Sequence, residues 1–98
     1  MKVLLVEDDP AIAGSITTSL SNAGMTVHHC ITGADAIAAV KEFAPEVILM
    51  DLGLPDMDGL DLLVKVRSRT EFSTKPIIVF TAEEMAAERE FEISKYAD

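Results

Sequence analysis

The sequence predicts an α/β protein, an open doubly wound parallel sheet with strand order 2-1-3-4 and helices on both faces. Three observations carry this. The all-apolar runs Val3-Leu4-Leu5-Val6, Val47-Ile48-Leu49-Met50 and Ile77-Ile78-Val79-Phe80 each stop abruptly at polar or acidic residues, as buried parallel strands do. Stretches with helical apolar spacing separate them, so strand and helix alternate. Strand starts near residues 3, 26, 47 and 77 leave room for a right-handed crossover each time.

Each element has its own local reason. After the first strand, Asp9 is a good helix N-cap, and Pro10 fits the first helical position, where a missing N–H costs nothing. Ile12, Ile16 and Leu20, with Ala13 and Ala23 beside them, mark an apolar face; Gly24 ends the helix. Gly14 inside it costs roughly 1 kcal/mol against Ala. Met25 to Cys30 is strand-like but partly polar and is placed at a sheet edge. Thr32-Gly33 opens a second helix whose apolar positions are Ala34, Ile37, Ala38, Val40 and Phe43, and Pro45 stops it.

The third strand, Val47 to Met50, reads as buried on both faces. Asp58-Gly59 starts a third helix, with Leu60, Leu63, Val64 and Val66 inward and Lys65, Arg67 and Arg69 outward. Thr70 to Lys75 reads as a polar loop before the fourth strand. Glu83-Glu84 begin a fourth helix, acidic in its first turn as the helix dipole favours.

Composition narrows the function classes. The chain has 98 residues, 49% hydrophobic and 26% charged, which suits a single domain spanning residues 1–98. A net charge of -9 argues against a nucleic-acid or anionic-membrane surface. The one cysteine, Cys30, forms no internal disulfide. No apolar run approaches the ~20 residues of a membrane span. Acid arrives at Glu7, too soon for a signal-peptide core, so the expected location is the cytoplasm.

The strand ends carry the chemistry. In a parallel sheet they share one rim, which brings Glu7-Asp8, Asp51 and Thr81 together. Strands one and three, ~4.8 Å apart, flank the switch point. Two carboxylates ~5 Å apart repel by about 3 kcal/mol at an effective dielectric near 20, so such a site expects a bound cation. An all-oxygen donor set suits Mg²⁺ before Ca²⁺. A cation would also cancel the repulsion between Asp51 and an incoming phosphoryl group, making Asp51 a nucleophile. Thr81, beside the small Ala82, can offer a hydroxyl to a phosphoryl oxygen. Simpler roles compete: Asp8 as a second N-cap, Thr81 as the cap of the fourth helix. His28 and His29 are adjacent on a strand and face opposite sides, which argues against a joint site.

Taken together, Leu5-Val6-Glu7-Asp8-Asp9-Pro10, Asp51-Leu52-Gly53-Leu54-Pro55-Asp56-Met57-Asp58-Gly59 and Thr81-Ala82 resemble the receiver domain of two-component response regulators, the CheY-like family. The resemblance implies Asp51 as phospho-acceptor, Asp8 as direct Mg²⁺ ligand and Glu7 as the acid holding the metal through water. It also implies the Gly53 backbone carbonyl as a ligand and Thr81 as the switch hydroxyl. Gly53, Ala82 and Glu83 occupy positions that tune phosphoryl lifetime and access. The implied partners are a sensor histidine kinase or phosphotransfer protein and a downstream effector domain or protein. The implied role is signalling; the only catalysis is of its own phosphorylation and dephosphorylation.

One departure stands out. Family members carry a fifth strand and helix, with a Lys-Pro pair ending that strand. Here Lys75-Pro76 precedes the fourth strand instead, and Lys95 belongs to the fourth helix or its end. The expectation is a receiver lacking its fifth βα unit, completed elsewhere or forming a homodimer through the uncovered sheet face. The alternative is a non-catalytic receiver-like interaction module. A Mg²⁺-dependent phosphatase fits less well, since Gly53 stands where such enzymes place a second acid.

Overall fold

A computed structural model of the chain describes residues 1–80 and 93–98. Thr81, Ala82, Glu83 and the expected fourth helix lie outside the described residues. Strands β1 (Lys2–Val6), β2 (Thr26–Cys30), β3 (Val47–Met50) and β4 (Ile77–Val79) form one parallel sheet in the order β2-β1-β3-β4. Leu5 pairs with His29 on one side and Leu49 on the other, and Leu49 pairs with Ile78. The crossovers are α1 (Pro10–Asn22), α2 (Gly33–Glu42) and α3 (Gly59–Arg67).

The helix ends follow the local chemistry. Asp9 Oδ1 accepts from the N–H groups of Ala11 and Ile12, capping α1 behind Pro10. Gly24, at φ 89°, takes the left-handed turn after α1. Thr32 Oγ1 caps α2 through Asp35 N–H, and Asp58 Oδ1 caps α3 through Leu60 N–H. Ala44, at φ 52°, turns the chain out of α2 before Pro45.

The main core lies on one face of the sheet. Leu4, Val6, Ile48, Met50 and Ile77 pack there with Ala36, Ala39 and Val40 of α2 and with Leu62, Leu63 and Val66 of α3. Three expectations change here. In α2 the buried small residues are Ala36 and Ala39, while Ala34 and Ala38 are exposed. In α3 Leu62 is buried and Val64 only half-buried, while Leu60 packs against the core as expected, because the helix packs against α2 as well as the sheet. The supposed polar loop contains a 3-10 turn, Thr70–Phe72, whose Phe72 is 1% exposed and belongs to the core. A phenylalanine so buried contributes roughly 2–3 kcal/mol.

Arg67 also departs from expectation. It does not point outward; its side chain is 18% exposed and gathers the chain around it. Nε donates to Tyr96 O at 2.7 Å, and Nη1 donates to Phe72 O at 3.2 Å and Lys75 O at 2.6 Å. Nη2 pairs with Asp98 Oδ2 at 3.0 Å. Asp98 in turn grips β4: its Oδ2 accepts from Ile77 N–H, and its own N–H donates to Ile77 O. A guanidinium presents several donors in a planar fork, so one side chain can satisfy carbonyls from separate turns.

The second sheet face is covered unevenly. With α1 on this side, Val3, Leu5 and Ala13 are buried. Beyond it Val47 and Leu49 are only half-buried and Ile78 is 46% exposed. They line an apolar groove of about 310 Å³ with Val3, Leu20 and Pro76. The sequence expectation that β3 is buried on both faces therefore holds for one face only. Ile12 is likewise exposed rather than on the packed face of α1.

Candidate functional site

The site forms where β1 and β3 end side by side. Val6 pairs with Met50, and Asp51 N–H donates to Val6 O at 2.9 Å, carrying the ladder one residue past the strands. Glu7 and Asp51 are thus neighbours by register, and Asp8 follows at the same rim. Carboxylate oxygens of Glu7, Asp8 and Asp51 lie within 4.8 Å of one another, as the sequence anticipated.

The three acids differ in environment. Glu7 is 2% exposed, Asp51 is half-buried and Asp8 is exposed. Glu7 Oε1 accepts from Asp9 N–H at 3.2 Å, while Oε2 is buried without a hydrogen-bond partner. Burial, then a hydrogen bond to Asp51 that only a protonated Glu7 can donate, then the charges of Asp51 and Asp8 push the Glu7 carboxyl up to about 7; the Asp9 N–H opposes them. A proton on Glu7 relieves the crowding. So would a cation, and an orphaned buried carboxylate oxygen in an all-oxygen cluster is a donor set that fits a hard divalent ion.

The loop after β3 is held by its own backbone. Leu52 O accepts from both Leu54 N–H and Gly59 N–H at 3.1 Å. Gly53 N–H donates to Asp51 Oδ1 at 3.3 Å, and Gly53 bridges to Asp58. The residue type matters at Gly59, where a Cβ would run into the Leu52 backbone. Asp56 ties the loop to α2 by accepting from Gly33 N–H at 2.8 Å and Ala34 N–H at 3.1 Å.

Glu7, Asp8, Asp51 and Gly53 are therefore brought together. Other residues that the sequence singled out take other roles. His28 lies against Phe43 with ring centroids 5.2 Å apart, while His29 Nε2 sits 2.7 Å from Glu7 O. Cys30 is buried, which pushes its thiol up to about 11 and leaves it unreactive. Lys75 belongs to the opposite end of the sheet, with Nζ 3.4 Å from Pro45 O, as its place before β4 implied. The contacts of Asp56 and His29 were not legible in the sequence, because each is made to a residue more than twenty positions away.

A family model, the response regulator receiver domain, matches residues 3–97. The chain belongs to this family. Receiver domains of this kind are signalling modules of two-component systems rather than conventional enzymes. The transcriptional regulatory protein KdpE of Mycobacterium tuberculosis is 40% identical over 80 residues, covering 82% of this chain and 34% of that protein. TrcR of the same species is 33% identical over 98 residues, covering 100% of this chain and 37% of that protein. The receiver thus spans about a third of the length of these curated relatives.

Solved structures agree on the fold. The chemotaxis response regulator CheY4 of Vibrio cholerae superposes with a TM-score of 0.89 at 27% identity, covering 97% of this chain and 78% of that one. The BeF3-activated N-terminal receiver domain of Klebsiella pneumoniae RstA gives 0.87 at 26% identity, covering 99% and 80%. The four-stranded order β2-β1-β3-β4 is the CheY-like arrangement anticipated from the sequence. Among the described residues, no helix is long and apolar enough to cross a membrane.

Proposed function

We propose that residues 1–98 act as a phosphorylatable receiver, with Asp51 accepting a phosphoryl group from a histidine kinase or phosphotransfer protein. The observation that carries this reading is the cluster of Glu7, Asp8 and Asp51 within 4.8 Å, with Glu7 Oε2 buried and unpartnered. Glu7, Asp8 and Asp51, with the backbone carbonyl of Gly53, would hold Mg²⁺. When bound, the ion supplies charge neutralisation for a phosphoryl group beside three acids.

The chain's own residues do the rest. Asp51, half-buried at the rim, presents a carboxylate oxygen to the donor phosphorus. A P–O bond forms as the P–N bond to the donor imidazole breaks, and the imidazole nitrogen leaves with the electron pair. Gly53 N–H, donating to Asp51 Oδ1, orients that carboxylate. Thr81 is the proposed switch hydroxyl, and Ala82, Glu83 and Gly53 set access to the acyl phosphate. The signal would pass to an effector domain or protein, and a kinase donor implies a cytoplasmic setting.

The test is incubation with Mg²⁺ and acetyl phosphate, followed by intact mass measurement. A phosphoryl increment is expected, absent in Asp51→Asn and after chelation. No increment in the wild-type chain overturns the reading.

One observation favours a second reading, an assembly module. The apolar groove beside Ile78 adjoins β4, and a second copy of the chain could cover it. Sedimentation over a concentration range, compared with Ile78→Lys, separates the two: an Ile78-dependent dimer without phosphorylation favours assembly.

A further inference from the structure

Two consecutive residues of the edge strand β2 hold the backbone of Glu7, one at its N–H and one at its carbonyl. Its N–H donates to Cys30 O at 3.0 Å, which extends the β1–β2 ladder past Val6. Its carbonyl oxygen lies 2.7 Å from His29 Nε2. A carbonyl oxygen only accepts, so Nε2 carries the hydrogen and His29 is the donor. The register places His29 opposite Leu5, two residues before Glu7, close enough for the ring to reach forward to that carbonyl.

The bond acts on a particular peptide plane. The carbonyl of Glu7 and the N–H of Asp8 belong to one rigid unit. Fixing it sets ψ of Glu7 and φ of Asp8, the two torsions that aim the adjacent acids. The Glu7 side chain is fixed separately, by Asp9 N–H on Oε1. Neither bond touches Oε2, which stays buried and without a hydrogen-bond partner.

We propose that His29 is a positioning residue for the cation site: by donating Nε2–H to the Glu7 carbonyl it holds the Glu7–Asp8 peptide so that both carboxylates converge with Asp51. This rests on the reading of Glu7, Asp8 and Asp51 as a Mg²⁺ site. His29 touches neither ion nor phosphoryl group, and acts through the backbone of Glu7. Removing a group that orients a metal ligand weakens metal binding by roughly tenfold or more.

The experiment is calorimetric titration of the 98-residue chain with MgCl₂ at neutral pH, for wild type, His29→Phe, His29→Gln and His28→Ala. Phe keeps the ring's bulk without a donor; Gln restores an N–H donor; His28 lies against Phe43 instead. The expected result is a Kd about tenfold weaker in His29→Phe, largely recovered in His29→Gln and unchanged in His28→Ala. The rate with acetyl phosphate should show the same shift in the Mg²⁺ concentration for half-maximal rate, with the rate at saturating Mg²⁺ little altered. A His29→Phe affinity equal to wild type, or an equal loss in His28→Ala, overturns the proposal. Should His29→Phe fail to fold, His29→Ala is compared with His29→Gln by the same criterion. Wild-type Mg²⁺ uptake with unchanged variants removes only the role of His29; absence of wild-type uptake removes the cation site itself, and His29's role with it.

Discussion

Asp56 caps a helix it does not belong to: its carboxylate accepts from Gly33 N–H at 2.8 Å and Ala34 N–H at 3.1 Å, at the start of α2. These bonds, the one to Gly33 first, hold the Asp56 carboxyl below its ordinary value. They tie the loop carrying Asp51 and Gly53 to the α2 face of the sheet. Met57 completes the contact, since a Cβ on Gly33 would lie 2.6 Å from its Sδ. Asp56→Ala should lower the melting temperature by a few degrees and slow acceptance of phosphoryl groups at Asp51, whereas Asp56→Asn should lose less. Because the folded carboxyl is depressed, its contribution is present above the unfolded value and fades as pH falls through the folded one. Thermal melts of wild type and Asp56→Ala should converge at acid pH.

Arg67 should be among the least replaceable polar residues. Its fork satisfies carbonyls of Tyr96, Phe72 and Lys75 and pairs with Asp98. Arg67→Met leaves those carbonyls without their donor and should cost about 3 kcal/mol in denaturant unfolding. Arg67→Lys should recover only part, because an ammonium cannot reproduce the planar fork. A lysine variant as stable as wild type would show that charge alone matters.

Glu7 should make the metal-free protein less stable as pH rises. Its carboxyl moves from 4.5 to about 7 on folding, so the native state binds the extra proton between those values. Stability then falls across that window and levels off above it. At about 1.4 kcal/mol per pH unit the total is about 3 kcal/mol. Glu7→Gln should flatten the profile and raise neutral-pH stability without metal. Excess Mg²⁺ should stabilise wild type above pH ~7 and have much less effect on Glu7→Gln. Urea titrations across this pH range with chelator and with Mg²⁺ read all of these.

Gly59→Ala should destabilise despite its small size. The added methyl would run into Leu52 Cα and also meet Leu52 O at 2.7 Å. Backbone cannot rotate aside as a side chain does, so a cost of about 2–3 kcal/mol is expected. The strain falls on the residue next to Asp51, so phosphoryl acceptance should fall along with stability.

Much of the architecture was legible because it depends on local pattern. Asp9-Pro10, Thr32-Gly33 and Asp58-Gly59 start helices through side chains that cap their own first turns. The convergence of Glu7, Asp8 and Asp51 followed as well, since parallel strands must end on one rim. Less legible were the residues whose roles depend on distant partners. Phe72, within a polar segment, fills the core because the 3-10 turn folds it under α3. Arg67 reads as a surface cation until the segments around residues 72–75 and 96–98 close over it.

The sequence alone determined the strand and helix order, the acids at the rim and the kinship with receiver domains, because periodicity, caps and motif spacing are properties of neighbours along the chain. Only the tertiary structure decided how those acids differ and what holds them. Packing and strand register bury Glu7, leave Asp8 in solvent, place the His29 ring on the Glu7 carbonyl and lay Asp56 across the start of α2. Those are relations between residues brought together across the sheet, and their energetics follow from burial and geometry that no local pattern records.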